Sequence, residues 1–399
     1  MKNLLLPFAA ALLPALASAQ DLLVRASRIA VTPDTVMSPG QMLVRQGKIA
    51  YLGDDIPTET RNRAKLVDYG QATILPGFVM VSTTLGQDRD LAEASIAFTP
   101  DLRASEAFDP WDEDLLKLPQ HGITAVALSP SPRNVAGGLQ ALVKPGREQG
   151  LLAASELQLV LSLSAAARNP EREPTSLMGQ KEMLRQAFQV ARDGANFGGK
   201  NAGTEIGILR EVLQGTRRAF VHANSFAELS AALDLARDFG LAPVLVGCAE
   251  GHKLLARLAQ QQVSVVLPAL LPESPPRLLQ LPAQLAAAGV PFAFGGSATQ
   301  LRMSAVLAVR NGLSRPAALH ALTLGPARLL EQQAVQYDHQ ARIGSLRQDH
   351  AADFVVFDGD PLDLDAAHVA TWVHGELVAG KPAAAHSPST TSASLGERR

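Results

Sequence analysis

The chain has 399 residues, 47% of them hydrophobic and 19% charged, a balance that supports a sizeable core and excludes a disordered polymer. Its length allows one large domain or two ordinary ones. With 36 Lys+Arg against 38 Asp+Glu, a net charge of -2, the sequence offers neither a basic stripe for nucleic acid nor an acidic tail.

The N-terminus reads as an export signal. Lys2 gives a short positive region, Leu4 to Leu16 is apolar, and Ala17-Ser18-Ala19 is a small-residue cleavage pattern before Gln20. The apolar run falls short of the roughly 20 residues a spanning helix needs, and Pro7 and Pro14 interrupt it. Residues 1–19 are therefore expected to be cleaved after Ala19. The mature protein is expected to be periplasmic or secreted, with no membrane span. No cysteine follows the small residues, so lipid attachment there is not expected. The single cysteine, Cys248, cannot form an internal disulfide or a thiolate metal cluster. A small buried apolar role is expected for it.

Residues 20–72 read as short strands: Leu22–Val31, Gln41–Arg45 and Lys48–Leu52 are apolar runs or alternations separated by Pro, Gly and Asp. Gln46-Gly47 is placed for a tight turn. Residues 73–342 change character, with apolar strand candidates alternating with amphipathic helix candidates. The strands are Ile74–Thr83, Ile123–Ser129, Gln140–Lys144, Leu157–Leu163, Ala219–Ala223, Ala242–Gly247, Val263–Pro268 and Pro291–Gly295. Eight βα units in somewhat over 250 residues predict a closed (β/α)8 barrel of the TIM type. Helix ends are legible too. Ser225-Phe226-Ala227-Glu228 is a capping box opening Glu228–Phe239, which Gly240 closes. Met178–Arg192 has helical spacing, Leu278–Ala288 is restricted by Pro282, and Ser314 with Pro316 starts another helix. Strand signals return in 343–380, at Asp353–Asp358 and Thr371–Val378. Both termini are therefore expected to build one small β-sandwich beside the barrel. Residues 381–399, rich in Pro, Ala, Ser and Thr, are expected to be disordered.

Several segments resemble the amidohydrolase superfamily. Leu75-Pro76-Gly77-Phe78-Val79 is similar to the segment that opens its barrel. Leu322-Thr323-Leu324-Gly325-Pro326-Ala327-Arg328-Leu329-Leu330 is similar to its final barrel helix. Ile343-Gly344-Ser345-Leu346, then Ala352 through Leu362, resembles its return to the β domain, and His374-Gly375-Glu376-Leu377-Val378 its last strand pair. Gly122 to Val126, Asn134 to Gly138 and Pro174 to Gly179 resemble the imidazolonepropionase-like branch. The resemblance implies a β/α barrel with a composite β-sandwich. It also implies one or two divalent metals, zinc or another, at the C-terminal ends of the barrel strands.

Metal chemistry there needs imidazoles and carboxylates converging from several strands. The family's first strand ends in His-x-His, and the matching positions here are Ser82 and Thr84, with Met80 where an Asp stands. The fifth strand keeps a histidine, His222. The sixth strand's ligand position falls at Gly247, before Cys248. The eighth strand reads Phe294-Gly295-Gly296-Ser297, with Ser297 replacing the general-base Asp. The bridging lysine some members use is missing around Leu161 to Ser164. The resemblance thus implies vestigial ligand positions at Ser82, Thr84, His222, Gly247 and Ser297, no confident catalytic residue and no bound metal.

The other histidines are scattered and none pairs at ligand spacing; His252 follows the sixth strand, on the side of the barrel mouth. Ser82 lacks a Gly-x-Ser-x-Gly elbow and an acid to orient His222. Asn134 to Gly138 is a glycine-containing loop able to approach a ligand closely, without the context of a phosphate loop. Asp109 to Asp114 reads as a solvated loop and helix start. Two functions follow. One is a degenerate amidohydrolase serving as partner subunit, to an active paralogue or in a homodimer, or binding a small molecule. The other is an active hydrolase of C–N bonds, non-peptide or dipeptide, with a metal-poor site.

Overall fold

The apolar run Ile74–Thr83 serves two sheets. The computed structural model describes residues 20–53, 56–85, 87, 90–93, 95–194, 202–331 and 342–382. In it the run is split at Gly77 into Thr73–Pro76 and Phe78–Thr83. The expected signal peptide and residues 383–399 of the expected disordered tail lie outside the described residues. No helix among the described residues is long and apolar enough to cross a membrane.

Two sheets flank the larger α/β region. One has the order Lys48–Leu52, Gly40–Arg45, Leu22–Ala26, Lys65–Asp68. The other runs Glu376–Gly380, His368–Val373, Phe354–Phe357, Thr73–Pro76, Arg28–Thr32, Thr35–Met37, three strands from each end of the chain. Val24, Met42 and Val44 share one core with Ile29, Ile74, Phe354 and Trp372, and the last two rings stack at 5.4 Å. The expected strand Leu22–Val31 is two strands broken at Ser27, whose hydroxyl donates to the Gln71 carbonyl at 2.9 Å. Thr371–Val378 is likewise a hairpin, turning at His374-Gly375. Gln46 and Gly47 both have positive φ, 50° and 74°, as a primed two-residue turn requires.

The larger region is an α/β fold with mixed sheets; of the eight parallel strands expected, one is reversed, and no ladder closes the ring among the described residues. Seven strands run parallel: Phe78–Thr83 with Ile123–Leu128, and Leu159–Ser162 through Ala219–Ala223, Val244–Gly247, Ser264–Leu267 and Phe292–Phe294. The eighth, expected at Gln140–Lys144, runs the other way. Ala136–Leu139 is antiparallel to Leu159–Ser162, and Ala141–Lys144 to Ile123–Leu128. A parallel neighbour needs a crossover, usually a helix; the link from Ile123–Leu128 to its neighbour Ala141–Lys144 holds the strand Ala136–Leu139 in place of one. No ladder joins Phe292–Phe294 to Phe78–Thr83 among the described residues. Helix Leu324–Leu330 instead packs against both strands across that seam.

Both faces of the parallel strands are buried, which explains their continuous apolar runs. Phe78, Met80, Val126, Val221, Leu245, Val265 and Phe294 pack among the surrounding helices. The alternate residues Val79, Val81, Ala125, Ala127, Phe220, Val246, Val266 and Ala293 share a second core with Ala327, Leu329 and Leu330 of the seam helix. The helices start as their caps dictate. Phe226–Phe239 has the full Ser225–Glu228 capping box and ends at Gly240, φ 68°. Leu177–Asp193 is capped by Ser176 and ends at Gly194. Leu278–Ala288 is two pieces, Pro276–Leu279 and Leu281–Ala287, with Pro282 in the first turn of the second.

A buried ion pair ties this region to the flanking sheets. Lys144 Nζ lies 2.6 Å from Asp353 Oδ2, with the side chains 0% and 3% exposed. Asp353 Oδ1 also accepts from the His374 amide at 2.9 Å, and the Asp353 carbonyl accepts from the Gly77 amide at 3.1 Å.

Candidate functional site

The C-terminal ends of the parallel strands are where an α/β fold presents chemistry, and the candidate residues lie there. Ser82 and Thr84 stand at the end of Phe78–Thr83, and His222 is the fourth residue of Ala219–Ala223. Gly247 closes Val244–Gly247, and Ser297 precedes helix Ala298–Arg310. The register pairs His222 with Ser162 on one side and Val246 on the other, and Ala223 with Gly247, so Gly247 sits one residue beyond the level of His222 on the adjacent strand.

The hydroxyls at the first strand's end serve the backbone. Thr83 Oγ1 accepts from the Leu85 amide at 3.0 Å, and Thr84 Oγ1 donates to the Leu85 carbonyl at 3.4 Å. Ser297 is an exposed helix-start residue: its amide donates to Gln300 Oε1 at 3.0 Å, and its hydroxyl lies 3.0 Å from Thr299 Oγ1. Gly247 adopts φ 101°, and a Cβ there would fall 2.1 Å from Asn224 Oδ1. The left-handed backbone favours glycine at that position.

His222 differs from these. Its Nε2 is buried with no hydrogen-bond partner among the described residues, and burial pushes its pKa down to about 4. The ring is therefore neutral at physiological pH. With a folded pKa below the unfolded 6.5, the linked stability is fully present above pH 6.5 and is lost as pH falls towards about 4. His320, His350 and His368 shift the same way, so a substitution is needed to isolate the effect. In urea titrations across pH, the unfolding free energy of His222→Gln should fall less than that of the unsubstituted protein between pH 6.5 and 4. Parallel curves would contradict this.

Sequence reasoning missed the polar cluster beside these positions. Gln140, fully buried, donates to the Val81 carbonyl at 3.0 Å and to Ser129 Oγ at 2.7 Å, leaving Oε1 without a partner. Ser162 and Ser164 share a hydrogen bond at 2.9 Å. Arg168 pairs with Glu228 at 2.6 Å, and the other Glu228 oxygen accepts from the Asn224 and Ser225 amides. That carboxylate is thus committed to its helix cap. The available signal was a lone glutamine inside the apolar run Leu139–Val143. His252 lies in the short 3-10 turn Gly251–Lys253, and its Nδ1 is also buried and unpartnered.

In the expected glycine loop at Asn134 to Gly138, one glycine is held close to a neighbouring backbone. Gly138 has φ 118°, and a Cβ there would meet the Leu102 carbonyl at 2.3 Å. Cys248 is buried beside Gly251, and burial pushes its thiol up to about 12. It should resist a thiol reagent in the native protein and react after denaturation; prompt native labelling would contradict that burial.

A divalent metal does not fit these donors. The strand ends offer neutral hydroxyls, one imidazole and a glycine. Among the described residues no group of three or more His, Cys, Asp or Glu is placed to hold an ion.

Comparison with known proteins agrees with the architecture. Residues 291–379 match the model of the amidohydrolase family. The amidohydrolase from Thermotoga maritima MSB8 superposes with a TM-score of 0.76 at 22% identity, covering 90% of this chain and 100% of that one. The A. niger ochratoxinase superposes with a TM-score of 0.54 at 16% identity, covering 90% of this chain and 96% of that one. The beta-aspartyl dipeptidase from Fervidobacterium islandicum AW-1 gives 0.51 at 11% identity, covering 91% and 97%. No curated protein matches. The sequence match is confined to the C-terminal part of the chain, and the likeness to the solved amidohydrolase is one of fold.

Proposed function

We propose that this chain is an exported, catalytically degenerate amidohydrolase of the imidazolonepropionase-like branch. In this reading the seven parallel strands and the seam helix correspond to the family's β/α barrel, and the flanking sheets to its composite β-sandwich. The barrel's old pocket binds a small molecule, or the fold serves as partner to an active paralogue or a second copy. The observation that carries the reading is the donor set at the strand ends: Ser82, Thr84, Gly247 and Ser297 in place of ligands, with His222 alone retained. Fold alone does not supply chemistry.

Metal analysis of the purified protein tests the proposal. Substoichiometric zinc, manganese and iron are expected, with no turnover of amide, lactam or dipeptide substrates. Stoichiometric metal that is lost in His222→Ala would overturn it. That result would favour the second reading, a C–N hydrolase, which draws its support from the unpartnered Nε2 of His222. N-terminal sequencing after expression in a bacterial host tests export, with Gln20 expected as the first residue.

A further inference from the structure

A cavity of about 600 Å³ opens at the opposite end of the parallel strands. Arg218 directly precedes Ala219–Ala223, Ser264 begins Ser264–Leu267, and Phe292 begins Phe292–Phe294. His222 and Gly247 stand at the other strand ends, so the cavity is separate from the old metal positions. Its volume is in the range of small-molecule sites.

The lining combines charge with apolar walls. Arg218 and Arg328 both contribute, alongside His320, Phe292 and Leu329. Arg218 Nη1 donates to the Arg328 carbonyl at 3.0 Å, which fixes one edge of its guanidinium. Burial works against the Arg218 charge and Glu331 supports it; a guanidinium stays protonated under both influences. Burial and the nearby Arg328 lower the pKa of His320, leaving that ring neutral at physiological pH. Asp34, in the turn between Arg28–Thr32 and Thr35–Met37, is the one carboxylate in the lining, and it is exposed. Neither arginine has a carboxylate at ion-pair distance among the described residues. A half-buried guanidinium with no carboxylate at ion-pair distance is matched by an anion able to take two parallel hydrogen bonds.

We propose that this cavity binds a small organic anion, its carboxylate or phosphate head on Arg218 and Arg328 and its apolar body against Phe292 and Leu329. The site does not depend on the degenerate-amidohydrolase reading, because it uses none of the old metal positions.

Calorimetric titration of the full mature chain with benzoate, phenyl phosphate and the neutral analogue benzamide tests it. At least one anion should bind saturably and benzamide should not. The two anions distinguish a carboxylate from a phosphate ligand. Binding should weaken with salt. Arg328→Gln, at an exposed position, and Arg218→Gln should each weaken it about tenfold or more, the size of a lost charged hydrogen bond. Arg237→Gln, which removes the same charge from the exposed face of helix Phe226–Phe239, should leave it unchanged. Circular dichroism checks that each variant is folded. No saturable binding of either anion at millimolar concentration, equal binding of benzamide, or full affinity in Arg328→Gln would each overturn the proposal.

Discussion

Lys144→Ala should lower the unfolding free energy by about 3–5 kcal/mol, the cost of leaving one member of a buried ion pair without its partner. The ammonium and the Asp353 carboxylate meet at 2.6 Å with almost no exposed surface, so water cannot replace the lost contact. Asp353→Ala should cost as much or more, since it also strips the His374 amide of its acceptor. The joint replacement Lys144→Met with Asp353→Leu should recover part of the loss, because no charge is then left buried. Urea denaturation of the four proteins gives the comparison. A loss under about 1 kcal/mol in Lys144→Ala, the size seen for exposed pairs, would mean that solvent reaches this one.

Gly138→Ala should cost about 2–5 kcal/mol, and Gly247→Ala only about 1–2 kcal/mol. Both glycines have left-handed φ, and a side chain there adds a strain of about 1–2 kcal/mol. They differ in what a Cβ meets. At Gly138 it is the backbone carbonyl of Leu102, already held at 2.7 Å by the Leu139 amide. This obstacle cannot turn aside, and overpacking adds about 1–3 kcal/mol. At Gly247 it is the end of the exposed Asn224 side chain, which can rotate. Thermal or urea unfolding of the two variants decides the order; equal losses would show that φ strain alone sets both. The Gly247 result bears on function as well. If the backbone resists even an alanine, a metal site cannot be restored there by one substitution.

Local rules made much of this fold legible. The capping box at Ser225–Glu228, the glycine stop at Gly240 and the Gln46-Gly47 turn each depend on residues close in sequence, and each is present. The parallel strands announced themselves because both faces are buried. What stayed hidden depends on long-range partners. Nothing within Ile74–Thr83 marks the change of sheet except Gly77, where a Cβ would fall 2.1 Å from the Thr124 hydroxyl. The reversed direction of Ala136–Leu139 and Ala141–Lys144 is set by a missing crossover, not by composition. Lys144 looked like the end of a strand, yet its partner is 209 positions away. At the site, resemblance pointed to the strand-end positions Ser82, His222 and Gly247, while the Gln140–Ser129 contact and the Arg218–Arg328 cavity join elements distant in sequence.

The six-stranded sheet has a consequence for how the chain comes off the ribosome. Thr73–Pro76 meets Arg28–Thr32 early, but its other edge pairs with Phe354–Phe357, a strand made only when synthesis is almost complete. Until then an apolar edge stands open, with its amides and carbonyls free to pair with another chain. A truncated product ending before Phe354 should therefore be insoluble, however well its parallel strands are formed.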